Sequence, residues 1–261
     1  MLVSIITPTY NSEKYIEETI KSVLHQSHKH FEHIIVDGLS TDSTLKILSK
    51  YKHLKVFQGK DNNMYEAINK GIKIANGEII AYLNSDDLYY LNTIENVVKA
   101  FKSNPESLML YGDCTFINSQ SQEMYTYRLP EFNLKIFSAI KRMIVYQQSC
   151  FWRKDVHSLI GLFDESFNYS ADYDFFCRLF ETNRVKHIPV KLAKFRVHSD
   201  SLSENNNGKM QVEKEIIDKK YKTDSILISV SGKVIDYLII KSFKNIPMIF
   251  YKLSSSFKKY F

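Results

Sequence analysis

Asp86 and Asp87 close an apolar run of strand length, Ile79-Ile80-Ala81-Tyr82-Leu83. Two adjacent carboxylates repel unless something cationic lies between them. A divalent ion bridging a phosphorylated ligand meets that need, and hard oxygens suit magnesium or manganese. The plainer alternative is a surface turn that caps the next helix. Two other polar clusters also follow apolar runs: Thr9-Tyr10-Asn11 after residues 2–7, and Asp37 after Phe31 to Val36. Strands of an open α/β sheet present ligand-binding groups at their carboxyl ends.

The elements that must position these groups can be read from the pattern. Residues 2–7 are β-branched and apolar and predict a buried strand, Phe31 to Val36 predict a second, and Leu54 to Phe57 a short third. Ser12 can cap a first helix, in which Ile16, Ile20, Val23 and Leu24 share one face. Ser40-Thr41-Asp42 can cap a second, with Leu45, Ile47 and Leu48 inward, and Asn76-Gly77 ends a third that runs from Tyr65 to Ala75. Alternating strands and helices in short units predict a mainly parallel, Rossmann-like sheet flanked by helices. All three polar clusters then lie at one sheet edge, the usual ligand crevice.

After a helix near 93–103, Leu108 to Phe116 and Met124 to Arg128 predict a hairpin, followed by a helix near Leu134 to Ile140. Gln147 to Trp152, Val185 to Ile188 and Leu192 to Phe195 read as strands, and Asp172 to Phe180 as a helix. The Asn205-Asn206-Asn207-Gly208 cluster marks a boundary, beyond which the chain reads helical.

Composition narrows the class. The chain has 261 residues and 44% hydrophobic content, within the range of globular proteins. A net charge of +6 favours anionic partners such as nucleotides, phosphates or membrane surfaces. No nucleic-acid partner is expected. Cys114, Cys150 and Cys177 lie far apart, which argues against a disulfide framework or a thiolate metal site and suits a reducing compartment. With no signal-peptide pattern and no apolar run of about 18 residues, a cytoplasmic location is expected.

The ordered segments Val3-to-Asn11, Ile34-to-Thr44, Met64-to-Gly71, Leu83-to-Asp87, Gln148-Ser149, Gly161-to-Phe167, Ala171-to-Asp174 and Phe195-Arg196-Val197-His198 resemble the family 2 glycosyltransferases, which have the GT-A fold. The resemblance covers about 1–205, with a nucleotide-binding half at about 1–115 and an acceptor half at about 116–205. Residues 206–261 are expected to form a helical C-terminal extension.

The resemblance implies inverting transfer of a sugar from a nucleotide-diphosphate sugar to a saccharide or lipid-linked acceptor, in bacterial polysaccharide or glycolipid synthesis. It implies that Tyr10 stacks on the base, Asp37 lies by the nucleoside, Asp86 approaches the ribose, Asp87 ligates Mn or Mg, and Asp172 is the general base. Thr7, Pro8, Asn69, Lys70 and Asn84 complete the nucleotide-sugar set, and His198 contacts diphosphate or metal. Gly38 stands where many members carry a second carboxylate. Asn63 and Glu66 stand where Gly and Asp are frequent, and Ala171 stands where Glu often precedes the catalytic Asp.

Each residue has an alternative. Tyr10 as a core aromatic, Asp172 as a helix N-cap with Asp174 as rival base, His198 as a surface imidazole and Lys70 as a solvated lysine are all compatible with pattern alone. Phe175, Phe176 and Phe180 read as core, and the cysteines as buried small hydrophobes. A sugar nucleotidyltransferase would place a Gly-rich, basic phosphate loop after the first strand, where this chain has Thr-Pro-Thr-Tyr-Asn. A catalytically inactive nucleotide-binding relative would have lost Asp87 or Asp172, and both are present.

The tail, 226–261, sets six lysines against the one acid Asp236. Pro247 can open a last helix whose Ile249, Leu253, Phe257 and Tyr260 form one apolar stripe. A basic helix with an aromatic face suits a membrane interface, here the inner face of the plasma membrane. The alternative is that the stripe packs on the catalytic domain or on a second subunit as a homodimer.

Overall fold

Val3–Thr9 (β1) is buried at every residue, so it needs a partner on each side. In the computed structural model, which describes residues 1–128, 145–199 and 206–221, Phe31–Asp37 (β2) pairs one edge of β1. Leu54–Gln58 (β3) lies outside β2, and Ile79–Tyr82 (β4) takes the other edge of β1. All these pairings are parallel, as the alternating pattern predicts. Strand order therefore reverses between β1 and β4. Thr9 sits in register with Asp37, and Ile6 with Tyr82, which gathers the three carboxyl ends.

Leu88–Tyr89 (β5), Met109–Ile117 (β6), Glu123–Tyr127 (β7), Cys150–Arg153 (β8) and Val185–Arg196 (β9) complete a nine-stranded sheet. Its order is β3-β2-β1-β4-β8-β6-β9-β5, with β7 paired to β6. β8 runs antiparallel to β4 and β6, while β9 is parallel to β6. The short β5, directly after Asp87, pairs the end of β9 through Leu88–Lys194 and Tyr89–Ala193. That pairing carries the 195–198 segment to the acid pair.

Helices cover both faces. Ile16–Leu24 (α1) buries Ile16, Ile20 and Val23, and Thr44–Leu48 (α2) packs beside it. Met64–Ile74 (α3) lies on β1 and β2, and Thr93–Ser103 (α4) on β9 and β6. Val156–Ile160 (α5), Ala171–Glu181 (α6) and Asn207–Lys220 (α7) follow. Phe175, Phe176 and Phe180 are core, with Phe163 stacked on Phe175 at 4.4 Å between ring centroids. All three cysteines are free and buried, and burial pushes each thiol above its ordinary pKa.

Several local expectations change. Ser12 does not cap α1 with its side chain; its carbonyl accepts from Tyr15 and Ile16, while its hydroxyl meets Tyr10 O and Ser85 Oγ. Gly77 is not a left-handed cap. A Cβ there would lie 2.6 Å from the Ser4 amide nitrogen, so close approach to β1 requires glycine. Residues 147–149 form a 3-10 turn ahead of β8 rather than strand. The two short strands expected at 185–188 and 192–195 are one strand. Pro189 has no N–H, and the pairing with β6 jumps from Ile188 to Lys191 instead of ending. The helix expected near 134–140 and the tail at 226–261 lie outside the described residues.

Candidate active site

The loops after β1 and β2 are laced together. Asn11, at φ 46°, accepts the Thr41 amide on its side-chain oxygen at 2.8 Å, and its own amide donates to Ser40 Oγ at 2.9 Å. Ser40 in turn donates its amide and hydroxyl to the two oxygens of Asp37, at 2.9 and 2.5 Å. Asp37 is therefore fully buried, and it shapes the loop. Tyr10 projects from this frame 63% exposed, so it is no core aromatic. Pro8 and Thr7 are buried behind it, and Thr7 Oγ1 lies 2.9 Å from His33 Nε2. Burial and the nearby His53 lower the His33 pKa to about 3, so the ring is neutral. Gly38 leaves ordinary room: a Cβ there would meet Tyr10 Cδ2 at 3.6 Å and Asp61 Oδ2 at 3.7 Å.

The acid pair is asymmetric. Asp87 is fully buried; its Oδ1 accepts the Arg196 amide at 2.9 Å, and its Oδ2 has no hydrogen-bond partner among the described residues. Burial and then the Asp86 charge hold the Asp87 carboxyl well above the usual range, against weaker pulls from Arg196 and Gln148. Asp86 is more open and lies 2.9 Å from His198 Nε2. Asn84, just ahead of the pair, also has a buried side-chain oxygen without a partner among the described residues. Among the described residues no three His, Cys, Asp or Glu side chains converge as a ready-made metal cage.

Arg196 ties this corner to its surroundings, and pattern reading passed it over in favour of His198. It is fully buried, its guanidinium faces the Tyr15 ring at 4.4 Å, and it bonds Asp86 O, Ser121 Oγ and Glu18 Oε2 at 2.8, 2.8 and 3.1 Å. Its place inside the Phe-Arg-Val-His segment was a usable signal.

On α3, Asn63 caps the helix by accepting the Glu66 amide at 3.0 Å, and its amide reaches Glu165 O at 2.9 Å. Asn69 is buried and holds the 163–165 loop: it donates to Phe163 O and Glu165 Oε1 and accepts the Phe163 amide. Lys70 is bound to Asp61 at 2.6 Å and Glu66 at 2.9 Å. From α3, Asn69 thus braces the 163–165 loop and Lys70 the 60–61 loop, whose Asp61 lies across Gly38 from the Tyr10 ring.

At the head of α6 the rival carboxylates separate. Asp174 is 1% exposed and meets Arg178, Lys220 and Tyr221 at 2.8, 2.9 and 3.1 Å. Asp172 is half-buried; its Oδ1 accepts Tyr65 Oη at 3.0 Å and the Tyr173 amide at 2.9 Å. The helix N-cap position belongs to Ser170. Burial raises the Asp172 pKa against the pull of Tyr65 and Lys214. Tyr82, at the end of β4, links the two corners. Its buried hydroxyl has no partner among the described residues, and after burial itself the charges of Asp172 and Asp87 both raise its pKa.

A sheet whose order reverses beside an aspartate pair and an exposed tyrosine ring, with helices on both faces, is the GT-A form of the α/β class. Residues 4–160 match glycosyl transferase family 2, and the chain belongs to that family. An uncharacterized glycosyltransferase of Rickettsia typhi is 32% identical over 209 residues, 76% of this chain and 64% of its own. A putative teichuronic acid biosynthesis glycosyltransferase of Bacillus subtilis, TuaG, is 43% identical over 99 residues, 36% of this chain and 39% of its own. The crystal structure of S. aureus TarS 1–349 in complex with UDP-GlcNAc matches with a TM-score of 0.65 at 25% identity, covering 77% of this chain and 60% of that one. The matches thus span under two thirds of each of these relatives.

Proposed function

We propose that this chain carries the catalytic site of an inverting, divalent-metal-dependent glycosyltransferase. It transfers a sugar from a nucleotide-diphosphate donor to a hydroxyl of a saccharide or lipid-linked acceptor, in bacterial polysaccharide or glycolipid synthesis. The observation that carries this reading is the split between Asp172 and Asp174. Asp174 is matched by two cations and a phenol, and Asp172, in a half-buried place, keeps an oxygen with no donor among the described residues.

In the reaction, the acceptor oxygen bonds to the anomeric carbon as the bond to the diphosphate oxygen breaks. The bonding pair leaves on the diphosphate, and the hydroxyl proton passes to Asp172. Attack from the opposite face inverts the centre and needs no protein nucleophile. Tyr10 offers its ring to the base, with Thr7, Pro8 and Asp37 behind it. Asp86 and Asn84 face the ribose and sugar hydroxyls, while Asn69 and Lys70 serve the donor through the loops they hold. The partnerless Asp87 Oδ2 fits a hard cation, with His198 close by on Asp86. Manganese or magnesium held there would neutralise the charge that grows on the departing diphosphate. That the described residues hold no ready-made cage suits an ion that takes its other ligands from phosphate and water.

The full chain should be incubated with a panel of nucleotide sugars, UDP-GlcNAc first because TarS was crystallised with it. Release of nucleoside diphosphate that requires manganese or magnesium is the expected outcome. Rates undiminished in chelator, or no turnover with any donor, would overturn the reading.

We place the enzyme at the cytoplasmic face of the membrane, as a peripheral protein held through 226–261. No helix of the described residues is long and apolar enough to cross a membrane. Each tail lysine near an anionic surface contributes about 1 kcal/mol. Full-length protein should float with anionic liposomes at low salt, and a chain ending near Thr223 should not. Equal flotation of the two, or none of either, would leave the tail to protein packing or a homodimer.

A further inference from the structure

The geometry points to Tyr65 as a positioning residue: its phenol and the Tyr173 amide fix Asp172 Oδ1 and leave Oδ2 to receive the acceptor proton. This rests on the proposed role of Asp172 as general base. Tyr65 reaches Asp172 across 107 positions of sequence, from α3 in the donor half to the head of α6. Its ring is 1% exposed and stacks at 5.8 Å on Phe163, whose backbone Asn69 holds on both sides. The buried ring is thus seated on a residue that Asn69 fixes at both its amide and its carbonyl. Its proton has one acceptor among the described residues, Asp172 Oδ1.

The two oxygens of Asp172 consequently differ. Oδ1 accepts two hydrogen bonds at 3.0 and 2.9 Å, and Oδ2 accepts none from the described residues. A carboxylate with one oxygen tethered cannot swing freely about its last torsion. Its open oxygen keeps one direction, which is what a base aimed at a single hydroxyl requires.

The charged and titratable groups facing this carboxylate are Tyr65 from α3, Tyr82 from β4, Cys150 from β8 and Lys214 from α7, with Glu213 of α7 acting on Tyr65. Burial raises the Asp172 pKa, and the Tyr65 hydrogen bond is the largest effect opposing it. The sign of the test follows. The phenol donates to the ionised form, so deleting it favours the protonated form and moves the base's titration to higher pH.

The experiment is the pH profile of kcat/KM for wild type, Tyr65→Phe and Asp172→Asn in the full chain, with UDP affinity measured alongside. Tyr65→Phe should shift the acid limb upward by roughly one pH unit and lower kcat below that limb, with UDP affinity unchanged. Tyr51→Phe, which deletes a 2.8 Å bond to Glu17 at the far end of the sheet, should leave the limb in place. Should Tyr65→Phe fail to fold, 3-fluorotyrosine at position 65 serves instead. Its more acidic phenol strengthens the bond and should shift the limb downward. Superimposable acid limbs with Asp172→Asn inactive would overturn the role of Tyr65 alone. Full activity of Asp172→Asn would overturn the base assignment and this inference with it.

Discussion

Two pairs of aspartates, one at the end of β4 and one at the head of α6, solve opposite problems. In each pair one member is fully buried. At α6 the buried member, Asp174, is matched by Arg178, Lys220 and Tyr221. At β4 the buried member, Asp87, has among the described residues a single backbone donor and an oxygen with no partner. Burial alone therefore does not mark a working carboxylate. An unmatched charge costs free energy, so Asp87 is a place where the fold gives up stability and Asp174 a place where it does not.

The sharpest way to break that contrast is Asp87→Asn. Transfer should fall about 10³-fold or more, since the proposed metal would no longer be held to offset the charge developing on the diphosphate. UDP binding should weaken chiefly when manganese or magnesium is present. The ligand-free protein should become more stable. The sign follows from linkage: the folded pKa is raised, so the folded state holds the proton more tightly than the unfolded chain. Stability from this group is thus lost as pH rises from the unfolded value of about 3.9 through the raised folded one. Thermal melts at neutral pH with and without metal would show both effects. A lower melting temperature for ligand-free Asp87→Asn would contradict the account.

Asp172→Asn should cost about 10²–10⁴ in turnover while nucleotide affinity survives, the usual worth of a general base. Asp174→Asn should do the reverse. It strips the partner from Arg178 and Lys220, and stability should drop by about 2–3 kcal/mol. That is less than for a fully enclosed pair, because Lys220 is 55% exposed. Below its unfolding midpoint this variant should keep most of its turnover, read by urea titration and initial rates. An inactive, well-folded Asp174→Asn beside an active Asp172→Asn would exchange the two roles.

The smallest expected effect lies at the edge of the donor corner. Tyr10→Ala should weaken nucleotide affinity by about 1–3 kcal/mol, the scale of base–aromatic stacking, with little change in stability because the ring is mostly in solvent. Calorimetry with UDP reads it, and unchanged affinity would remove Tyr10 from the site.

Local pattern determined a good deal of this protein. The apolar runs at residues 2–7, 31–36 and 79–83 become β1, β2 and β4, because a strand buried on both faces must be apolar throughout. Right-handed crossovers between parallel strands then put Tyr10, Asp37 and Asp86-Asp87 at one sheet edge with no further information. The helical faces, the β6–β7 hairpin and the aromatic core were legible for the same reason: period and burial are properties of neighbouring residues. Only the tertiary structure decided which carboxylates carry unmet demands. Arg196 meets Asp87 across 109 positions, Tyr65 meets Asp172 across 107, and Lys220 and Tyr221 reach back to Asp174 across 46 and 47. An ionisable side chain is defined by the charges and donors that surround it in space. Those arrive from distant strands and helices, so no local spacing separates Asp172 from Asp174 or Asp86 from Asp87.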